Sequence, residues 1–145
     1  MLNHHHKQMV NHLRLNSRKS IKNISIDMKI SSQKARRIKR LVDNSIIQRY
    51  TILIDFNKMP EIIRTFFILN PKITDLRRTR MFLESSDSIN SLHGIDDFGA
   101  FFFEAIFYDA SELNSFLEHL KNFSFNKKEC MYISEDLKRE SFLLP

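Results

Sequence analysis

Net positive charge is confined to the first third of this 145-residue chain. Residues 1–50 hold twelve Lys and Arg (Lys7, Arg14, Arg18, Lys19, Lys22, Lys29, Lys34, Arg36, Arg37, Lys39, Arg40 and Arg49) against two acids, Asp27 and Asp43, a balance of +10. Residues 51–145 hold eleven against fifteen, a balance of −4. One core under one uniform surface does not segregate charge in this way, so the chain reads as two modules with different partners. The basic module suits a polyanion, because each phosphate it neutralises releases condensed counterions. Hydrophobic residues make up 42% of the sequence, which argues against disorder.

Several classes fall away. Cys130 is the sole cysteine, which excludes an intramolecular disulfide and a cysteine-based zinc site. Two glycines, Gly94 and Gly99, leave no room for a Walker loop or a Rossmann fingerprint. The apolar runs Phe66–Leu69 and Ala100–Phe103 are too short to span a bilayer, and Met1–Val10 has no signal-peptide core. His4-His5-His6 could ligate a metal, but no acidic or cysteine partner accompanies them, so a solvated run is the reading. The expectation is a cytoplasmic, nucleoid-associated protein with no metal, no cofactor and no membrane partner.

The basic end reads as three short helices. His5–Leu15 places Met9, Val10 and Leu13 at near-helical spacing. Ser20 caps a second helix whose apolar face is Ile21, Ile24 and Met28. Lys29-Ile30 form a turn, and Ser31 or Ser32 caps a third helix to about Asn44, with Ala35, Ile38, Leu41 and Val42 as its buried stripe. A tight turn between the last two helices makes a helix-turn-helix, whose second member enters the major groove. Ile46–Ile54, rich in β-branched residues, reads as a strand, and Asp55–Glu61 as a linker.

The remainder alternates between the two periods. Ile62–Leu69, Ile89–His93, Ala100–Tyr108 and Glu129–Ser134 read as strands. Asp75–Leu83 and Glu112–Phe123 read as helices, the second capped by Ser111. The order β-α-β-β-α-β is that of a ferredoxin-like unit. The fold class is therefore α+β: a winged-type helix-turn-helix over 1–50, a linker strand over 51–61 and a ferredoxin-like domain over 62–145. Its first and third strands are apolar on both sides, with Ile62, Phe66 and Ile68 opposite Ile63, Phe67 and Leu69, and Phe101, Phe103, Ala105 and Phe107 opposite Phe102, Ile106 and Tyr108. Two helices cover one face, so a second copy of the chain is the simplest cover for the other; the segment holding Phe142, Leu143 and Leu144, or the N-terminal helices, is the alternative.

The ordered motifs resemble the Lrp/AsnC (feast/famine) family of regulators along nearly the whole chain. Arg18-Lys19-Ser20, preceded by Ser17, resembles the family's Gly-Arg-x-Ser; Ile24-Ser25 and Ile30-Ser31 resemble its second helix and turn; Arg40-Leu41, Ile47 and Tyr50-Thr51 resemble the end of its head. Departures are Leu2-Asn3-His4-His5-His6 at an acidic start, Lys29 and Ser45 at glycines, and a third helix one residue shorter. Gly94-Ile95-Asp96-Asp97-Phe98 resembles a Gly-x-x-Asp loop, and the resemblance implies an amino-acid effector near His93, Gly94, Asp96, Asp97 and Phe98. It also implies a homodimer, or a tetramer or octamer, with double-stranded DNA as partner.

Ser32, Gln33, Lys34, Arg36 and Arg37 occupy the first half of the third helix, where base contacts concentrate, since Arg pairs with guanine and Gln with adenine. Arg40 falls further along and, with Arg18, Lys19 and Lys22 around the second helix, suits phosphate. Three other readings remain: an enzyme resembling siroheme decarboxylases, for which His93 is the sole acid–base candidate; an RNA-binding sheet using the phenylalanines; and an architectural chromatin protein. Asp96-Asp97 before Phe98 and the −4 balance weigh against RNA. No nucleophile or oxyanion hole stands at a recognisable spacing from His93, so no catalytic residue is expected.

Overall fold

The computed structural model describes residues 2–95 and 99–145. Two units form: Met1–Ile54 together with Lys138–Pro145, and Asp55–Leu137. The expected 62–145 domain thus gives its last eight residues to the basic unit. The expected boundary at residue 50 falls at Ile54 instead.

In the basic unit, α1 spans His4–Leu15, α2 Ile21–Asp27 and α3 Ser32–Ser45. Each begins at a residue whose short polar side chain accepts a free amide of the first turn: Asn3 from His6, Ser20 from Asn23 and Ser31 from Lys34. The three helices close around Met9, Val10, Leu13, Ile24, Met28, Ala35, Ile38 and Val42. Leu41, expected in that stripe, is 48% exposed, because Ile38 and Val42 already fill the inward-facing arc of α3. Leu144 packs against the same cluster, while Phe142 and Leu143 stay exposed.

The strand expected over Ile46–Ile54 does not form. Ile46 and Ile47 pack against the helical core, and Gln48–Ile54 have no regular structure. β-Propensity describes a side chain that suits a pleated surface, and among the described residues no strand lies beside this one. The expected linker strand over 51–61 is replaced by coil and a 3-10 turn at Phe56–Lys58, opened by Asp55, whose carboxylate accepts the Asn57 amide.

The second unit runs β1 (Ile63–Pro71), α4 (Leu76–Ser85), β2 (Ile89–Gly94), β3 (Phe101–Phe107), α5 (Ala110–Leu120), β4 (Phe125–Tyr132). The sheet order is β2-β3-β1-β4 and every pair is antiparallel, with Phe67 opposite Phe103 and Cys130. α5 starts two residues earlier than Ser111 suggests, because Asp109 takes the Glu112 amide. β4 starts four residues before Glu129; it is an edge strand exposed almost throughout, so its sequence carries no burial alternation to read.

Alternation sorts the two central strands. Phe67, Leu69, Phe101, Phe103, Ala105 and Phe107 face the helices and are buried with Leu83, Leu113, Phe116 and Leu120. The other face carries Phe66, Ile68, Phe102, Ile106 and Met131. It also carries Arg64 and Glu104, 7% and 5% exposed, which sequence reading passed over.

Candidate nucleic-acid interface

The turn between α2 and α3 is built from backbone bonds. The Met28 amide donates to Ile24 O, Lys29 to Ile26 O and Ile30 to Ser25 O, and Ser25 Oγ lies 3.0 Å from Ser32 Oγ at the start of α3. Lys29 stands in the left-handed region, φ 53°. That geometry brings the chain sharply into α3.

On α3, Ala35, Ile38 and Val42 point inward, while Ser32, Gln33, Lys34, Arg36, Arg37 and Arg40 are all exposed. Positions 33, 36, 37 and 40 follow helical spacing and lie along one side. Among the described residues Arg36, Arg37 and Arg40 enter no ion pair, and α3 holds no acid before Asp43. Lys34 Nζ lies 3.2 Å from His5 Nε2, with His5 Nδ1 3.4 Å from Gln8 Oε1. Arg18 and Lys22 are exposed beside α2.

Two cations beside α2 and on α3, Lys19 and Lys39, are already engaged. Lys19 donates to Asp27, with His12 Nδ1 3.9 Å from the same carboxylate. That hydrogen bond holds the Asp27 carboxyl below its ordinary range. Lys39 donates to Asp43 (2.7 Å) and to Tyr50 Oη (3.1 Å), and Tyr50 donates to Asp43 at 2.6 Å. Its bond to Asp43 raises the Lys39 ammonium; burial pushes Asp43 up, but the bonds from Lys39 and Tyr50 outweigh it and leave Asp43 lowered. Lys19 therefore stands apart from Arg18 and Lys22 as a cation with an internal partner. No sequence spacing signals that pairing, since Lys19 and Asp27 meet across a loop and a helix.

The effector residues expected at the end of β2 are partly outside the described residues: Asp96, Asp97 and Phe98 lie there. His93 is exposed, its ring stacked near Phe102 (centroids 6.3 Å), and Gly94 has open space around its Cα. Gly99, φ 85°, is where glycine is required, because a Cβ there would meet Leu76 Cδ1 at 2.7 Å. Among the described residues no three His, Cys, Asp or Glu side chains gather as a metal would need, and no helix is long and apolar enough to cross a membrane.

The sheet face away from the helices holds a second polar cluster. Arg64 Nε and Nη2 donate to Glu104 Oε1 at 3.1 and 2.6 Å, Nη1 and Nη2 donate to Asp136 at 2.7 and 3.1 Å, and Asn90 donates to Glu104 Oε2 at 2.6 Å. The Phe56 ring lies 4.4 Å from the guanidinium carbon. Burial works against the charge on Arg64, yet Asp136 and Glu104 prevail and raise its pKa.

No family model matches the sequence, and neither does any curated protein. Solved structures do match the fold along nearly the whole chain. LrpC of B. subtilis is 15% identical, with 95% of this chain and 98% of that one covered at a TM-score of 0.80. A transcriptional regulator of Neisseria meningitidis in complex with L-Met is 17% identical, with 100% and 97% covered at 0.81. AsnC of E. coli is 13% identical, with 98% and 98% covered at 0.78. These Lrp/AsnC regulators share the fold of this chain.

Proposed function

We propose that the protein is a sequence-specific DNA-binding transcription regulator acting as a homodimer. The observation that carries this is the side of α3 bearing Gln33, Arg36, Arg37 and Arg40: exposed, free of acidic partners among the described residues, and held on the second of two helices closed by a tight turn. A helix so displayed reads base edges in the major groove, while flanking cations such as Arg18 and Lys22 meet phosphate. Gln33, Lys34, Arg36 and Arg37 are the base-reading candidates, with Ser32 at the helix start; Arg40 serves the backbone. Lys19 contributes less than its neighbours, because Asp27 holds it. A dimer would place two such helices about one helical turn apart on a two-fold symmetric site. The regulators that share the fold support this reading. So does the L-Met of the Neisseria structure for an amino-acid effector, which in this chain would sit near His93 and Gly94. No arrangement among the described residues favours an enzyme.

The test is selection of genomic fragments by the purified protein at about 150 mM salt. Recovery of a shared, two-fold symmetric motif is expected. Arg37→Ala should weaken binding to it by about 1–3 kcal/mol, roughly 5- to 150-fold, and relax one base position. Uniform recovery of all fragments, or equal loss on every sequence, would remove the specific regulator.

A further inference from the structure

We propose that Lys138–Pro145 is an intramolecular peptide ligand of the three-helix unit, and that its docking fixes the path of the chain where it leaves that unit. The site is built from α1. Asn11 reads both backbone groups of one residue: its Nδ2 donates to Leu144 O at 2.9 Å, and its Oδ1 accepts the Leu144 amide at 2.8 Å. A side-chain amide here does what a neighbouring strand would do. One turn along α1, Arg14 Nη2 donates to Glu140 O at 3.2 Å and to its carboxylate at 3.0 Å. Leu144 then packs its side chain against the helical core. Glu140 adopts φ 47°, a bend that non-glycine residues rarely take, and it falls between the anchors at residues 139 and 144.

The third anchor acts on the exit. Arg139 Nη1 donates to Ile54 O at 3.0 Å. Residues 48–54 have no regular structure, and Tyr50 also ties them, through Asp43 and Lys39. The chain passes between the two units twice, after Ile54 and after Leu137. Each passage lies between fixed points: Ile54 on Arg139 and Asp55 opening the 3-10 turn, then Asp136 on Arg64 and Arg139 on Ile54. Releasing the peptide would leave residues 48–54 held through Tyr50.

Amide hydrogen exchange by NMR on the full chain tests both halves. The Leu144 amide should exchange at least tenfold more slowly than that of an unstructured residue. Asn11→Ala should remove that protection while the α3 amides keep theirs, and Asn11→Asp, which can accept but not donate, should give an intermediate rate. An unprotected Leu144 amide in the unaltered protein overturns the docking, as does full protection in Asn11→Ala. Should Asn11→Ala unfold the unit, the unaltered protein and Arg14→Gln decide by the same readout. For the exit, Arg139→Ala should increase the fast motion of the Thr51–Ile54 amides in relaxation measurements; unchanged relaxation overturns that half. None of these readings involves DNA, so they stand or fall apart from the regulator proposal.

Discussion

At the scale of single residues, two positions carry more than their type suggests. Lys29 sits at φ 53° in the turn that sends the chain into α3, where the resemblance leads one to expect glycine. A side chain in the left-handed region strains the backbone by about 1–2 kcal/mol, partly offset because glycine loses more freedom on folding. Lys29→Gly should therefore stabilise the three-helix unit by about 0.5–1 kcal/mol, read as a higher midpoint in thermal or urea unfolding. A lower midpoint would mean that Lys29 contributes something besides its backbone. Asp75 precedes α4 but makes no cap bond to it; its carboxylate accepts the Ser124 amide at 2.9 Å and Arg78 at 3.1 Å. The Ser124 backbone bond foremost lowers its pKa. The folded value lies below the unfolded one, so the stabilisation is complete above the ordinary aspartate range near ~3.9 and is lost as pH falls through the folded value. Asp75→Asn should be less stable than the unaltered protein at neutral pH, with the gap closing below about pH 4. A gap that persists in acid would assign the loss to something other than the carboxylate charge.

At the scale of elements, the central strands show how far alternation can be read and where it stops. Phe67, Leu69, Phe103 and Phe107 announce the helix-covered face, and caps such as Ser20 and Ser31 announce α2 and α3. Arg64 and Glu104 were visible too, as one charge at an alternate position of each apolar strand, but pairing them needs the register that sets Thr65 opposite Ala105. Asp136 completes the cluster from 72 residues away, and Asn11 meets Leu144 across 133; no local period encodes either. Ile46–Ile54 failed in the opposite direction, because β-branched composition without a neighbouring strand makes no sheet. The exposed cationic side of α3 was legible, since helical spacing separates it from Ala35, Ile38 and Val42, whereas the engagement of Lys19 by Asp27 was not. Energetically, Arg64 matters through what its loss would leave behind. Arg64→Ala leaves the buried Glu104 and the partly buried Asp136 without their cation and should destabilise the second unit by about 3–5 kcal/mol. Arg64→Met combined with Glu104→Leu removes the buried pair together and should recover part of that loss, the part left over belonging to Asp136. Chemical denaturation of the single and double variants checks this, and additive losses would mean the pair acts through separate contacts.

At the scale of the whole molecule, the proposed dimer would rest on the sheet face that α4 and α5 leave uncovered. Phe66 and Phe102 stack at 5.0 Å, with Ile68, Ile106 and Met131 around them, on the side of the sheet that α4 and α5 leave bare. Phe56 and Asp136 come over this face at Arg64 and satisfy its charge, which leaves the aromatic and aliphatic part for another surface. A second copy related by a two-fold axis would bring the same apolar residues against each other. Ile68→Glu then places a carboxylate on both copies of that interface at once, so desolvation and repulsion act twice. The variant should sediment as a monomer while the unaltered protein sediments as a dimer. The functional consequence follows from bivalency: joining two reading helices makes the second contact intramolecular, worth about 10²–10⁴ in apparent affinity. Ile68→Glu should lose that factor on DNA carrying both half-sites and bind an isolated half-site as the unaltered protein does. If the variant remains a dimer, the open face is not the interface; if it is a monomer with undiminished binding to the paired site, recognition does not depend on two helices acting together.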